Sequence, residues 1–406
     1  MGQSMQFDFD RVIDLRNTHS AKWDRIAAGT KWRGPHDDDG PDAADAIPMW
    51  VADMDFEAPP AVPEALRREI ERGVFGYYDT HDSWYEALGG WLERRHGWRP
   101  DLAWMSVTPG IVSGIGLVLQ ALTEPGDEVV VFSPAYHAFR YIIEANDRVV
   151  HNVPMKLEQG RQRIDMQRLA DTLTPRGKVV ILCSPHNPGG RVWEVEEIRA
   201  VADFCAERGL YLISDEIHGD LVYPGAVHVP TALAAPQIAD RLITTVAVTK
   251  TFNLAGAHVG AVIAANPDIK KKIDARISAS GLVSQGRFGL IATEAAMREG
   301  DGWLDALIPY LAANRDRFAD RVVRAIPGAR AARLEATYLG WVDFSGTGLE
   351  MEDYMERITR RARIGVSPGP QFGPGGEKHI RFNFAIRRAL LDEALARLEE
   401  AFSDLG

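Results

Sequence analysis

A chain of 406 residues is too long for one simple domain and can bury a substantial core, and 46% hydrophobic with 25% charged residues excludes a disordered polymer. Forty-six Lys and Arg against 57 Asp and Glu give a formal charge of −11, which repels nucleic acid and anionic membranes, and the longest basic run, Lys270 to Lys272, reads as the solvated face of a helix. Cys183 and Cys205 have neither pairing nor metal-ligand spacing, no apolar run reaches the roughly 18 residues of a membrane span, and MGQSMQFDFD lacks a signal-peptide core, so the expectation is a cytoplasmic protein without a metal.

Residues 1–60 read as an irregular N-terminal arm and small-domain segment, with a polar Gly- and Asp-rich loop from Gly29 to Ala46 ahead of the apolar patch Ile47–Val51. Pro60–Gly73 and Ser83–His96 are predicted amphipathic helices joined by the turn Phe75-Gly76-Tyr77-Tyr78, whose exposed tyrosines invite a partner. From Trp104 to about Asn266, apolar strands alternate with helical segments, the pattern of a mostly parallel sheet covered on both faces. The predicted strands are Glu128–Ser133, Val179–Cys183, Tyr211–Asp215, Leu242–Val248 and His258–Ala264. After about Arg298 come a long helical stretch, strands at Ala332–Phe344 and His379–Phe384, and a closing helix from Arg388 to Phe402. The expected class is α/β: a large domain over 61–297 with a seven-stranded type of sheet, and a smaller α+β domain over 298–406.

In open α/β sheets ligands bind beyond the carboxyl ends of the strands, and those ends carry Tyr136, Asn187, Asp215 and Lys250. Lys250 follows the β-branched run Thr244–Thr249, where a buried ammonium needs a reason. A buried lysine with a lowered pKa forms a Schiff base, and the electron sink it then holds, pyridoxal phosphate, needs an acid such as Asp215 against its ring nitrogen. Thr108-Pro109-Gly110 runs into a helix at Ile111 whose unpaired N–H groups suit a phosphate, although Pro-Gly before a helix is also an ordinary turn. Tyr136 suits stacking on a flat ring or a place in the core, Asp215 suits a pyridine partner or a helix cap, and Arg381 suits a carboxylate clamp or a surface ion pair. The ordered set of Gly-turn, Tyr, Asn-Pro-Gly, Asp, Lys and Arg favours the chemical reading of each.

That order resembles the fold-type I pyridoxal-phosphate enzymes of the class I/II aminotransferase superfamily over essentially the whole chain. The resemblance implies Lys250 as the Schiff-base lysine, Asp215 as pyridine partner and Tyr136 as stacking aromatic, the three catalytic candidates. It further implies Asn187 on the ring oxygen, Arg381 on the substrate carboxylate and His218 beside the cofactor. Pro48 to Phe56, Ser184 to Pro188, Ser214 to His218 and Lys250 to Asn253 are similar to the MalY/PatB branch, whose members are typically cystathionine or cysteine-S-conjugate β-lyases. Trp50 then falls at the substrate mouth, and Tyr77 would reach the phosphate of a neighbouring subunit in a homodimer with shared active sites. The chain departs from the pattern at Ala247 and His258, where many aminotransferases place a serine and an arginine on the phosphate, so Thr249 and the N–H groups of Ile111 and Val112 would share it. Ala385-Ile386-Arg387 stands where the branch commonly has Cys-Pro-Arg. The expected activity is carbon–sulfur β-elimination. Transamination or another deamination on the same lysine is the alternative, and a non-catalytic regulator the remote one.

Overall fold

The computed structural model describes residues 7–27, 45–158 and 160–405; positions 29–44 of the expected Gly29–Ala46 loop lie outside the described residues. Seven strands form the main sheet: β1 (Met105–Thr108), β2 (Glu128–Ser133), β3 (Val149–Pro154), β4 (Gly177–Cys183), β5 (Tyr211–Asp215), β6 (Leu242–Val246) and β7 (Gly260–Ile263). Their order is β1-β7-β6-β5-β4-β2-β3, and β7 alone runs against its neighbours. Val129, Val130, Val179, Val180, Leu212 and Ile213 are fully buried, because a strand covered by helices on both faces can carry an unbroken apolar run.

Four further strands, β8 (Arg330–Ala331), β9 (Leu339–Asp343), β10 (Ser367–Pro368) and β11 (His379–Asn383), make an antiparallel sheet of order β8-β9-β11-β10. Ile47–Pro48 pairs with Ile364–Gly365, which ties the N-terminal segment beside this smaller sheet. A helix over Asp301–Ala325 packs its Leu307, Leu311 and Phe318 into the same core as Phe382 and Phe384. No helix among the described residues is long and apolar enough to cross a membrane.

Several predicted strands are shorter than expected. The Leu242–Val248 run pairs only to Val246, after which the chain turns toward Lys250. The His258–Ala264 run starts pairing at Gly260, because His258 is left-handed at φ 50° and cannot extend the ladder. Within the Ala332–Phe344 run only Leu339–Asp343 pairs as a strand. The stretch before it bonds elsewhere: the N–H groups of Glu335 and Ala336 both donate to the Gly190 carbonyl, and Thr337 is left-handed at φ 69°. Phe75 to Tyr77 of the expected turn are exposed, but Tyr78 is half-buried with the Arg287 guanidinium 4.9 Å from its ring; the turn lies beside residues 283–288, where Ser284 donates to the Tyr78 carbonyl and the Phe75 and Phe288 rings are 5.8 Å apart.

Candidate active site

Parallel pairing brings the strand ends together. Cys183 is the register partner of Asp215, and Asp215 of Thr245, so the acid sits mid-sheet with its side chain 3% exposed. Beyond these ends lies a cavity of about 330 Å³ lined by Gly110, Ile111, Val112, Tyr136, Asn187, Asp215, His218, Thr249, Lys250 and His258. All eight residues expected to hold the cofactor from one chain therefore face one space.

The Lys250 amine donates to the Ala52 carbonyl at 2.5 Å and lies 3.8 Å from Asp53. Burial, helped by Arg381, lowers its pKa below the ordinary lysine value, and Asp53 opposes the shift. The turn that carries it is pinned from behind: Thr251 donates to buried Asp220, which also accepts from the Trp91 indole and lies 2.7 Å from His96. Asp215 accepts a hydrogen bond from the Ile217 N–H at 3.2 Å and has the Thr245 hydroxyl at 3.5 Å. Burial nonetheless pushes its pKa from 3.8 up to about 7, with Glu216 adding to the rise. An acid so placed is completed by a cation that the described residues do not supply, and a protonated pyridine nitrogen is such a cation. His218 is driven by burial, then by Lys250 and Arg381, down to about 3, so its ring is neutral, and its buried Nδ1 lacks a partner among the described residues.

At the other end of the cavity Gly110, left-handed at φ 86°, starts the helix Ile111–Leu122 with no side-chain cap, leaving the first-turn N–H groups for an anion. His258, where many aminotransferases place an arginine, is exposed and lines the same space, whereas Ala247 is buried behind it. These orphaned groups fit a flat, phosphorylated, ring-nitrogen cofactor.

Arg381 is 3% exposed, with Nη1 donating to Asn187 Oδ1 at 3.0 Å and Nη2 to the Trp50 carbonyl at 2.9 Å. The Asn187 amide is thereby oriented with Nδ2 as the donor left for the cavity. Phe372, which sequence reasoning missed, packs its ring 4.8 Å from the guanidinium. Burial lowers the Arg381 pKa to about 10, which still leaves it charged at neutral pH.

Trp50 departs from the expected substrate-binding role. Its indole packs with Ile26 and Ala46 and donates to the Lys22 carbonyl, so it is the backbone of Trp50 that meets Arg381. The wider Pro48–Phe56 motif works the same way: Asn383 donates to the Val51 and Asp53 carbonyls, Asn253 to those of Met54 and Phe56, and Tyr338 to that of Ala52. Tyr77 is fully exposed on this chain and lines none of the cavity.

The family described as aminotransferase class I and II matches residues 44–398. The chain belongs to this family. It is 36% identical to cystathionine beta-lyase PatB of Bacillus subtilis, over 98% of this chain and 100% of that one. It is 31% identical to protein MalY of Escherichia coli, over 97% and 98%. Among solved structures, cystalysin from Treponema denticola, which contains a pyridoxal 5′-phosphate cofactor, superposes with a TM-score of 0.92 at 31% identity, over 99% of this chain and 100% of that one.

Proposed function

We propose that the protein is a pyridoxal-phosphate-dependent carbon–sulfur β-lyase of the cytoplasm that cleaves an S-substituted L-cysteine to a thiol, pyruvate and ammonia. The observation that carries this reading is the end-to-end 36% identity to a cystathionine beta-lyase, joined to a cavity in which Lys250, Asp215, Asn187 and Tyr136 converge.

Each residue has a chemical task. Arg381 clamps the substrate carboxylate, its fork held rigid by Asn187, the Trp50 carbonyl and the Phe372 ring. Lys250 is the residue that would hold the cofactor, and its amine would be freed when the substrate amine takes that place. With its pKa lowered by burial, a larger share of Nζ is then uncharged and free to take the α-proton. Bound pyridoxal phosphate supplies the electron sink for the charge left on the α-carbon. Asp215 would keep the ring nitrogen protonated, and Tyr136, whose phenol burial holds still further from ionising, would cover the ring face. Thr249, the N–H groups of Ile111 and Val112, and neutral His218 complete the cradle. The C–S bond breaks with its electron pair leaving on sulfur, and one water is consumed in forming pyruvate and ammonia.

The active unit is a homodimer with shared sites. Ile70, Val74, Phe75, Tyr77, Val283 and Phe288 are exposed on and around one turn, more apolar surface than a lone soluble chain usually presents in one place. A second copy covers this face, and the partner subunit's Tyr77 reaches the phosphate end of the cavity.

Product analysis tests the activity. Holoenzyme given L-cystathionine without any keto acid is expected to release thiol and pyruvate in equal amounts. Strict dependence on added keto acid overturns the lyase reading in favour of transamination.

A further inference from the structure

A second cavity, of about 770 Å³, opens between the smaller sheet and the loops after β4 and β5, and it shares no lining residue with the Lys250 cavity. That volume lies within the range of roughly 300–1,000 Å³ typical of small-molecule sites. Five arginines line it against two carboxylates, Glu335 and Asp343, in a protein whose formal charge is −11. Three of the arginines are committed: Arg161 and Arg191 both pair with Glu335, and Arg315 donates to the Leu334 carbonyl. Arg330 and Arg333 are exposed, and their guanidiniums have no ion pair or hydrogen bond among the described residues, although Arg330 stands across the strand pair from Asp343. Five guanidiniums against two carboxylates leave the lining with an excess of positive charge that an anionic ligand would offset.

The cavity also has a flat wall. Trp341 and His379 stack with centroids 4.8 Å apart and 10° between planes. Trp341 is 5% exposed, yet its indole N–H has no acceptor, and the buried His379 Nδ1 has no partner either among the described residues. Trp341 is the cross-strand partner of Arg381, and Phe372 touches both, so an occupant would sit about one side chain from the carboxylate clamp without entering it.

We propose that this cavity binds a small planar ring bearing one or two anionic groups, with the ring at the Trp341–His379 wall and the anionic groups on Arg330 and Arg333. The site is separate from the lyase reading, since it uses none of the residues of the Lys250 cavity.

Calorimetric titration of the holoenzyme with three probes tests it: 5-sulfosalicylate (ring and two charges), inorganic sulfate (charge alone) and phenol (ring alone). The expected result is saturable one-site binding of 5-sulfosalicylate, at least about tenfold tighter than either partial probe. The exposed-side double variant Arg330→Gln/Arg333→Gln is expected to weaken it about tenfold or more while leaving the fold and cofactor absorbance intact. Arg381→Lys is expected to leave probe binding unchanged. The proposal is overturned by absent saturation with 5-sulfosalicylate, by equal affinity for sulfate, by indifference to the double variant, or by loss of binding in Arg381→Lys.

Discussion

Asp215→Asn separates the two things the buried acid does. In the apoprotein the carboxylate titrates near 7 rather than 3.8, because burial penalises its charge. The native state therefore holds that proton more tightly than the unfolded chain, and stability falls as pH rises from the ordinary value through about 7. At about 1.36 kcal/mol per unit, the three-unit shift costs the apoprotein about 4 kcal/mol by pH 8, about 2 of it between pH 5 and pH 7. His186 and His218, both lowered to about 3, act in the opposite direction, since a neutral buried imidazole loses stability as pH falls below 6.5. They are common to both proteins, so the difference curve isolates the acid. Urea melts of the two apoproteins from pH 5 to pH 8 are expected to show Asp215→Asn gaining on wild type as pH rises, by about 3 kcal/mol over the interval. Loading wild type with pyridoxal phosphate is expected to abolish the loss, because the protonated ring nitrogen supplies the missing cation. The variant is expected to retain cofactor but turn over slower by orders of magnitude, since a neutral amide does not hold that ring proton. Parallel pH curves for the two apoproteins would refute the desolvated-acid argument, and near wild-type turnover would refute the catalytic one.

Arg381→Lys is expected to raise KM for S-substituted cysteines about tenfold to a hundredfold, because a single ammonium replaces a fork already oriented by Asn187 and the Trp50 carbonyl; an unchanged KM would remove the clamp assignment. Tyr77→Phe is expected to weaken cofactor retention about tenfold or more through one lost hydrogen bond to a charged group. Mixing Tyr77→Phe with Lys250→Ala subunits is expected to restore activity to heterodimers, since one of the two sites then draws Lys250 from the Tyr77→Phe chain and Tyr77 from the Lys250→Ala chain. Heterodimers that form but stay inactive would place both residues in one chain's site.

The chemistry of the cavity was legible because its bearers sit at the ends of strands that are buried on both faces. Val179–Cys183 is an unbroken apolar run and Tyr211-Leu212-Ile213 leads straight into Ser214-Asp215, and the rule that ligands bind beyond such ends placed Asn187, Asp215 and Lys250 together before any contact was visible. β3 escaped notice because it is an edge strand whose Val149-Val150-His151-Asn152 is largely in contact with solvent, so no apolar run announces it. β1 escaped because four residues, Met105–Thr108, make too short a pattern to stand out from its flanks. The Ala332–Phe344 run misled for another reason: its first half, Ala332-Arg333-Leu334-Glu335-Ala336-Thr337, alternates like a strand, but its backbone bonds to Gly190 and Tyr223, contacts set by tertiary neighbours and invisible to local periodicity.

The residues that sequence reasoning missed share one property. Asp53 and Phe372 reach Lys250 and Arg381 from distant parts of the chain, while Tyr338 and Asn383 act through the backbone carbonyls of Val51, Ala52 and Asp53, which carry no sequence signature. Carbonyls from Trp50 to Phe56 accept from Arg381, Lys250, Asn253, Tyr338 and Asn383, so this strip of backbone joins the carboxylate clamp to the cofactor lysine. The Pro48–Phe56 motif was therefore recognisable by its side chains while much of its work is done by its main chain. A substitution within it that keeps the backbone path leaves Lys250 and Arg381 where they are, whereas one that bends the path moves both at once. The separation of the Lys250 amine from the Arg381 guanidinium is thus set mainly by the backbone of this segment, to which the Asp53 carboxylate, 3.8 Å from Lys250, adds a side-chain contact.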